Sequence, residues 1–161
     1  MIGRTLHGEF RLTRLLGRGG MGAVYLADQI SLRRPVAVKL LPASATESPE
    51  AVQRFEREAI AAGRLQHPNI VQVHSFGQEE GRHFIAMEFV DGESLSARLS
   101  RVGRLPAAEA LRIVLEVARA LTAAHKQGFV HRDVKPDNVF LTAEGLVKLG
   151  DFGLARDTAS S

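Results

Sequence analysis

The sequence predicts an α+β fold with a sheet-rich first part and a helical second part. Residues 1–41 and 70–90 consist mainly of short apolar stretches with alternating polarity and glycine-containing turns, which is typical of antiparallel strands. Beyond residue 92, apolar residues recur at helical spacing instead. This change of period predicts a domain boundary between residues 1–90 and residues 91–161.

The composition is that of an ordinary soluble domain. Apolar residues make up 45% and charged residues 24% of the 161 residues, without low-complexity tracts, which argues against disordered and fibrous classes. The chain has no cysteine, so disulfides and thiolate metal sites are excluded. No apolar run approaches the roughly 20 residues needed to span a bilayer, and no signal-like stretch follows Met1. We therefore expect a cytoplasmic protein without a membrane segment.

The charge pattern argues against nucleic-acid binding. The net charge is +3, but the 21 Lys and Arg residues are interspersed with 18 acidic residues and form no long basic run. We therefore expect no nucleic-acid partner.

The first predicted hairpin carries a glycine cluster at its tip. Its strands are residues 10–16 and 23–28, and between them lie Gly17, Gly19 and Gly22. Glycine has no Cβ and adopts positive φ, so such a tip can lay its backbone N–H groups over phosphate oxygens. A Rossmann turn has the same glycine spacing, but there a helix follows, whereas strand-forming residues follow Gly22 here. A flexible hairpin without a ligand is the alternative interpretation.

The third predicted strand, residues 35–41, contains one charged residue, Lys39, in an apolar stretch. A lysine at such a position usually extends its ammonium group into water. A helix then begins with Ser48 as N-cap and Pro49 at the first helical position, and we expect it to end at about residue 65.

This predicted helix has a carboxylate, Glu58, within its apolar face. At helical spacing the same face contains Ala51, Phe55, Ala62 and Leu65. Burial of an unpaired carboxylate costs several kcal/mol, so Glu58 needs a cation unless it lies in water beside the neighbouring arginines.

The remaining elements complete the sheet and form the helical part. Residues 70–76 and 82–90 read as strands joined by a turn, which makes the antiparallel sheet five-stranded. Helices are expected at residues 94–100 and from about residue 105 to Lys126, with Gly128 ending the second. The second helix has an apolar stripe formed by Leu111, Val114, Ala118, Leu121 and His125.

The densest polar stretch, residues 131–138, reads His-Arg-Asp-Val-Lys-Pro-Asp-Asn. Pro136 removes a backbone donor and restrains the residue before it, so the stretch forms a shaped loop. A solvated turn is the alternative, but turns do not require histidine, arginine and lysine beside the acidic residues. A hairpin of residues 139–149 follows and leads to Asp-Phe-Gly at residues 151–153.

Five signals, in this order, resemble those of a protein kinase. The glycine cluster fits G-x-G-x-x-G-x-V, Lys39 ends the strand motif Val-Ala-Val-Lys, and Glu58 lies on the following helix. Residues 131–138 match H-R-D-x-x-x-x-N at every fixed position, and residues 151–153 supply the metal-loop motif. The chain resembles the eukaryotic-like Ser/Thr protein kinases of bacteria over nearly its whole length.

The resemblance implies a bilobal, protein-kinase-like fold. Residues 1–90 would form an N-lobe with a five-stranded antiparallel sheet and the helix that kinases call αC. Residues 91–161 would form an incomplete helical C-lobe, because the sequence stops at Ser161, eight residues after Gly153. The later activation segment and the peptide-docking helices are not in it, so we expect weak nucleotide binding and little transfer from this chain alone.

The resemblance implies catalytic roles for four charged residues. Lys39 is expected to contact the α and β phosphates of ATP and to pair with Glu58. Asp133 is expected to orient the substrate hydroxyl and accept its proton. Lys135 is expected to stabilise the transferred phosphoryl group, and a lysine at that position is the serine/threonine form of the loop.

The resemblance also implies an ATP site with a divalent cation. Asn138 and Asp151 are expected to bind Mg²⁺ or Mn²⁺ through oxygen atoms. Met87 corresponds to the gatekeeper, and the backbone of Glu88 and Val90 to the hinge that hydrogen-bonds adenine. The expected glycine and apolar contacts to the nucleotide are Leu16, Gly17, Gly19, Gly22, Val24, Ala37 and Phe140.

Other polar residues have implied roles around these. His131 is expected to be structural and to pack near Phe152, and Arg132 to bind a phosphorylated residue of the activation segment. Asp91 or Glu93 is expected to reach the ribose.

The sequence thus predicts ATP-dependent phosphorylation of serine and threonine hydroxyls in proteins, with ATP and protein substrates as partners. Two alternatives stay open at this point. One is a non-catalytic nucleotide-binding or regulatory module. The other is a small-molecule kinase of related fold, which Lys135 and the Leu-Ala-Arg at residues 154–156 disfavour.

Overall fold

The computed structural model describes residues 1–19, 22–42 and 48–151, with the backbone alone described at residues 54 and 58. Part of the glycine tip and the predicted Phe152-Gly153 therefore lie outside the described residues. No helix within these described ranges is long and apolar enough to cross a membrane.

The chain divides into two compact units. The first contains Met1–Gly63 and Gln72–Phe89, and the second contains Arg64–Val71 and the chain from Val90 onward. The segment Arg64–Val71 therefore belongs with the second unit, although it precedes two strands of the first.

The described residues of the first unit form a six-stranded antiparallel sheet and one helix. Its strands are β1 (Thr5–Leu6), β2 (Phe10–Gly19), β3 (Gly22–Gln29), β4 (Arg34–Leu40), β5 (Val73–Glu79) and β6 (Arg82–Glu88), and its helix is α1 (Pro49–Gly63). The strand order is β1-β2-β3-β4-β6-β5. Five of these strands were expected. The additional β1 pairs Leu6 with Phe10 and is too short to show alternation in the sequence.

One face of this sheet forms the hydrophobic core of the first unit. Successive strand residues point to opposite faces, so one set of alternating side chains shares this face. Each large apolar side chain buried here stabilises the fold by about 1.5–3 kcal/mol. The buried cluster comprises Leu6, Phe10, Leu12, Tyr25, Ala27, Val36, Val38, Leu40, Phe84 and Ala86.

Helix α1 packs on the other face of the sheet. Its Phe55 ring meets the Phe76 ring of β5 edge-on, with centroids 5.7 Å apart. Phe76 is the cross-strand partner of Ile85, and Ile85 is the partner of Lys39, so all three share one face. Helix α1 therefore lies on the same face of the sheet as Lys39.

Helix α1 begins as predicted but ends earlier than residue 65. The Ala51 N–H donates to Ser48 Oγ at 3.3 Å, which makes Ser48 the N-cap and Pro49 the first helical residue. The helix ends at Gly63. Glycine weakens a helix end, and Pro68 restricts the residue before it, so the chain turns away.

Strand β5 starts three residues later than the expected residue 70. Ile70 forms a parallel bridge with Leu149, and the Val71 N–H donates to Leu149 O at 2.9 Å. The expectation that residues 70 and 71 join the first sheet was therefore wrong, because their backbone pairs with a strand of the second unit.

As far as Asp151, the second unit contains two helices and a three-stranded antiparallel sheet. Its elements are β7 (Gly92–Ser94), α2 (Leu95–Val102), α3 (Ala107–Lys126), a 3₁₀ turn (Pro136–Asn138), β8 (Val139–Thr142) and β9 (Val147–Leu149). The strand order is β7-β8-β9. Helix α2 is capped by Ser94, whose Oγ accepts the Ala97 N–H at 3.1 Å.

Helix α3 ends in a Schellman motif, which confirms the expected role of Gly128. Gly128 has φ 75°. Its N–H donates to His125 O at 2.9 Å, and the Phe129 N–H donates to Ala124 O at 3.0 Å. The left-handed conformation explains why glycine stands at this position.

The predicted apolar stripe of α3 is not the face that the described residues bury. Leu111 is 71% exposed and Val114 is 63% exposed, whereas Ile113, Ala120 and Ala124 are buried. Both faces of this helix are apolar in sequence, and the buried face carries Ile113 and two alanines. Helical spacing alone could not choose between them.

Candidate active site

The polar loop of the second unit is organised around His131, which is 1% exposed. Its Nε2 lies 2.7 Å from Gly150 O, and its Nδ1 accepts the Asp133 N–H at 3.1 Å. Burial lowers the pKa of this imidazole, although the hydrogen bond to the Gly150 carbonyl works in the opposite direction. The neutral ring thus donates through Nε2 and accepts through Nδ1. These bonds give His131 the structural role expected of it, while its expected neighbour Phe152 lies outside the described residues.

Asp133, Lys135 and Asn138 come together in this loop. Lys135 Nζ lies 3.3 Å from Asp133 Oδ2. Asn138 Nδ2 donates to Asp133 O at 2.8 Å and to Asp133 Oδ2 at 3.3 Å. Asp133 is half-buried, whereas Lys135 is exposed. The loop therefore holds a carboxylate in place between a buried amide and an accessible ammonium group.

Two non-glycine residues near this cluster have left-handed backbone. Arg132 has φ 67° and Asp151 has φ 53°. Such conformations cost of order 1–3 kcal/mol each and persist where surrounding contacts fix them. Here the hydrogen bond from His131 to Gly150 O lies immediately beside both residues.

The hairpin of β8 and β9 brings Asn138 beside the residue before Asp151. The Gly150 N–H donates to Asn138 O at 2.9 Å, and Val139 pairs with Leu149. Asn138 is 5% exposed. Because its Nδ2 donates to Asp133, its amide oxygen is the atom that suits a cation.

The oxygen atoms of the Asn138 and Asp151 side chains are suitable ligands for Mg²⁺ or Mn²⁺. Both cations prefer oxygen ligands, and Mg²⁺ in nucleotide sites is held by one or two carboxylates together with phosphates and water. Within residues 1–19, 22–42 and 48–151, no group of three or more His, Cys, Asp or Glu side chains could hold a metal ion. Asn138 and Asp151 would be the protein ligands, and phosphate oxygens would complete the shell.

In the first unit, most predicted nucleotide residues share the sheet face of Lys39. Cross-strand pairing aligns Gly17 with Val24 and Val24 with Lys39, and it aligns Ala37 with Met87. Lys39, Ala37 and Met87 are 4%, 7% and 8% exposed. A buried ammonium group therefore lies among Val24, Ala37 and Met87 on this face, beside the glycine hairpin.

For two predicted site residues of the first unit, Leu16 and Glu58, the described structure does not give the same result. Leu16 lies where the pairing of β2 and β3 shifts register and is 38% exposed. Glu58 belongs to α1, which packs on the Lys39 face, but its side chain lies outside the described residues. The Lys39–Glu58 pair therefore stays a prediction.

The glycines at the tip of this hairpin differ in whether the fold requires glycine at their positions. Gly22 has φ 108°, and a Cβ there would lie 1.9 Å from Leu40 O, so the fold itself requires glycine. A Cβ on Gly17 would meet nothing within 4 Å. Gly19 pairs with Gly22 at the end of the described hairpin. Nothing in the described fold requires glycine at position 17, which leaves room above its backbone.

The backbone around the predicted hinge is partly occupied. The Glu88 N–H donates to Gln72 O at 2.8 Å, so this donor is engaged within the first unit. Val90 is the first residue of the second unit after the first unit ends at Phe89.

Phe140, the predicted adenine contact in β8, is half-buried and lies against Gly150. A Cβ added to Gly150 would approach Phe140 Cε2 to 2.9 Å.

Glu93 is engaged by arginines of α2 rather than open to a ribose. Arg101 donates to its Oε1 at 2.6 Å, and Arg98 Nη1 lies 3.5 Å from the same atom. The hydrogen bond from Arg101 is the main reason that the pKa of Glu93 is lowered. Of the two residues expected near the ribose, Asp91 is the exposed one.

Two residues of the second unit were missed by sequence reasoning. Neither Asn69 nor Glu116 was given a functional role from the sequence. In the structure the Asn69 Nδ2 donates to Glu116 Oε2 at 3.1 Å. A usable signal was available, since Glu116 lies one helical turn from buried Ile113 and Ala120. A carboxylate in that position needs buried donors, as was argued for Glu58.

Comparisons with known proteins give a consistent picture. The family model described as "Protein kinase domain" matches residues 10–161. The serine/threonine-protein kinase PknD of Mycobacterium tuberculosis is 46% identical over 149 residues, which cover 92% of this chain and 22% of PknD. The probable serine/threonine-protein kinase CPE1738 of Clostridium perfringens is 43% identical over 161 residues, which cover 100% of this chain and 24% of that protein.

Solved structures give the same match. The crystal structure of the M. tuberculosis PknI kinase domain aligns with a TM-score of 0.86 and 40% identity, covering 97% of this chain and 64% of that one. The chain thus spans about a quarter of the length of these curated relatives, and about two thirds of the solved domain.

Proposed function

Because this chain belongs to the protein kinase domain family, we propose that it carries the nucleotide site and catalytic loop for transfer of phosphate from ATP to protein serine or threonine hydroxyls. The family identified from the sequence motifs is confirmed, and so is the protein-kinase fold. The relatives are serine/threonine kinases, which agrees with the lysine found at position 135.

One observation supports the proposal above the others. The Asp133 carboxylate is half-buried, and Asn138 Nδ2 and Lys135 Nζ each lie 3.3 Å from its Oδ2. Phosphoryl transfer asks the protein mainly for positioning and for stabilisation of negative charge. A fixed carboxylate beside an accessible ammonium group supplies both.

In the proposed reaction, Asp133 accepts the hydroxyl proton while the hydroxyl oxygen forms a bond to the γ-phosphorus. The bond between that phosphorus and the β–γ bridging oxygen breaks, and its electron pair leaves on ADP. The Lys135 ammonium stabilises the charge on the phosphoryl oxygens during transfer. A Mg²⁺ or Mn²⁺ ion held by Asn138 and Asp151 would supply further charge neutralisation.

The first unit would bind the nucleotide. Lys39 would hold the α and β phosphates as a compact positive charge, with Glu58 orienting it. Ala37 and Met87, which are buried partners on the same sheet face, would contact adenine together with Val24. The open space above Gly17 supports a close approach of phosphate to backbone.

The proposal is tested with Asp133→Asn in the full-length protein. We expect transfer of labelled phosphate from ATP to a protein substrate to fall by about a hundredfold or more, because a positioned base typically contributes that much. ATP affinity should change little. Asp137→Asn is the matched control, since Asp137 is an exposed carboxylate of the same loop. Binding of ATP with no transfer in the unmodified protein would favour the non-catalytic nucleotide-binding module instead.

A further inference from the structure

Strand β9, the last element before Asp151, is held along both edges within the second unit. On one edge it pairs with β8. On the other edge the Leu149 N–H donates to Asn69 O at 2.8 Å, and Leu149 O accepts the Val71 N–H at 2.9 Å. The segment between α1 and β5 therefore acts as a short partner strand for β9.

Two side chains extend this partner strand where its backbone ends. The Asn69 Nδ2 donates to Val147 O at 2.8 Å, and the Val147 N–H donates to Glu116 Oε2 at 3.2 Å. The Asn69 Nδ2 also donates to Glu116 Oε2 at 3.1 Å. Asn69 is 6% exposed. The pair thus satisfies both backbone groups of Val147 that face away from β8.

Glu116 is itself fixed by an arginine one turn earlier on α3. Arg112 Nη1 donates to Glu116 Oε1 at 2.9 Å and to Gly145 O, in the β8–β9 turn, at 2.7 Å. Both oxygens of the carboxylate therefore have donors, as burial requires.

These contacts continue to the residue before Asp151. The Gly150 N–H donates to Asn138 O at 2.9 Å, and Gly150 O lies 2.7 Å from His131 Nε2. The Asn69–Glu116 pair thus anchors Val147, and the backbone of residues 69–71 anchors Leu149. The loop of residues 131–138 anchors Gly150. A displacement of β9 would displace Asp151 with it.

We propose that Asn69 and Glu116 are positioning residues for Asp151. They set the position of β9, and through it the carboxylate that would bind the cation. This inference rests on the proposed function, in which Asp151 is a metal ligand. Groups that hydrogen-bond a metal ligand directly typically affect metal affinity 10–100-fold, and because Asn69 and Glu116 act on Asp151 through β9 we expect the lower end of that range.

The experiment uses Asn69→Ala and Glu116→Gln in the full-length protein. Glutamine places an amide N–H₂ against either Arg112 or the donors of Asn69 and Val147, so one set of bonds is lost. Arg112→Ala is a milder third variant, because Arg112 is exposed and its loss removes the bonds to Glu116 and to Gly145 O but leaves the Asn69 and Glu116 contacts with Val147 in place. Glu109→Gln is the matched control, since Glu109 lies on the same helix and pairs with Arg98 instead.

Two measurements separate positioning from general damage. The first is the Mg²⁺ dissociation constant at saturating ATP, compared with ATP affinity in EDTA. We expect roughly tenfold weaker Mg²⁺ binding in Asn69→Ala and Glu116→Gln, a smaller shift in Arg112→Ala, and unchanged ATP affinity in EDTA. The second is amide hydrogen exchange of the metal-free, nucleotide-free protein, where we expect faster exchange at Val147 and Leu149.

Asp151→Asn distinguishes failure of this inference from failure of the proposed function. If Asp151→Asn leaves Mg²⁺ affinity unchanged, the metal role of Asp151 is wrong and the inference falls with it. If Asp151→Asn weakens Mg²⁺ binding while the Asn69 and Glu116 variants do not, positioning alone is overturned. Equal losses of Mg²⁺ affinity and metal-free ATP affinity would also overturn it, because they indicate a purely structural role.

Discussion

At the scale of single residues, the glycine tip shows how one motif combines two requirements. Gly22 is required by the fold, because its φ is 108° and a Cβ would strike Leu40 O. Gly17 has no such constraint in the described structure. The motif therefore does not act as a unit, and the two positions should respond differently to substitution.

We predict that Gly22→Ala destabilises the protein by at least about 1–3 kcal/mol, from the strained backbone and the steric overlap. Gly17→Ala should leave the free energy of unfolding nearly unchanged and weaken ATP binding, because its methyl group would occupy the space proposed for phosphate. Denaturant unfolding and ATP titration of both variants check this. Unchanged ATP affinity in Gly17→Ala would contradict the proposed approach of phosphate to this strand.

His131 makes the stability of the protein depend on pH. Its ordinary pKa is 6.5, and burial lowers that value in the folded protein. The unfolded chain therefore binds more protons than the folded one below pH 6.5, so stability is full above that pH and falls as the pH drops towards the folded pKa. The loss for one such group is at most about 1.4 kcal/mol per pH unit.

We predict that the free energy of unfolding falls as the pH is lowered from 7 to 5, which urea titrations would measure, and that His131→Gln has a shallower dependence. Burial also lowers the pKa of His74, so part of the slope should remain. His125→Gln, in an exposed residue of α3, is the control. An equal slope in His131→Gln and the unmodified protein would show that this imidazole does not titrate as argued.

At the scale of elements, helix α1 and strand β4 define the environment of Lys39. Phe55 and Phe76 fix α1 on the face where Lys39 lies 4% exposed. Glu58 is one turn beyond Phe55 on that helix, and a buried ammonium group without a carboxylate is strongly unfavourable. The pairing of α1 with β4 through Lys39 and Glu58 is therefore the arrangement that we expect.

A double-mutant cycle of Lys39→Ala and Glu58→Ala tests that pair. We predict a coupling of roughly 0.5–3 kcal/mol in ATP binding, because contacting residues of one network are not additive. The same cycle with Glu56→Ala, an exposed carboxylate of α1, should give a coupling near zero. Additive effects of Lys39→Ala and Glu58→Ala would mean that the two side chains do not interact.

Element boundaries also show where sequence patterns lose information. The N-cap at Ser48 and the C′ glycine at position 128 were predictable, because each depends on one local residue type. The partner of Ile70 was not, because strand pairing with Leu149 is decided by residues nearly eighty positions away. The apolar stripe with Leu111 and Val114 could be recognised in the sequence from its helical spacing, but its exposure in the structure could not.

At the scale of the whole molecule, the family and fold were predictable because the motifs are short and their order is fixed. The cluster of Asp133, Lys135 and Asn138 lies within one loop, so its members were certain to be near one another. Asn69 and Glu116 belong to a turn and a helix far apart in the chain. Neither has a motif of its own, and only the folded chain brings them to β9.

The assignment of Arg64–Val71 to the second unit means that the chain passes between the two units at residues 63–64, 71–72 and 89–90. No single cut can therefore separate the units. A fragment ending near residue 90 would contain Ile70 and Val71 without the strand that pairs with them, and a fragment beginning there would leave one edge of β9 open. Each of these two fragments would therefore have an unpaired strand edge, and such an edge tends to pair with other chains.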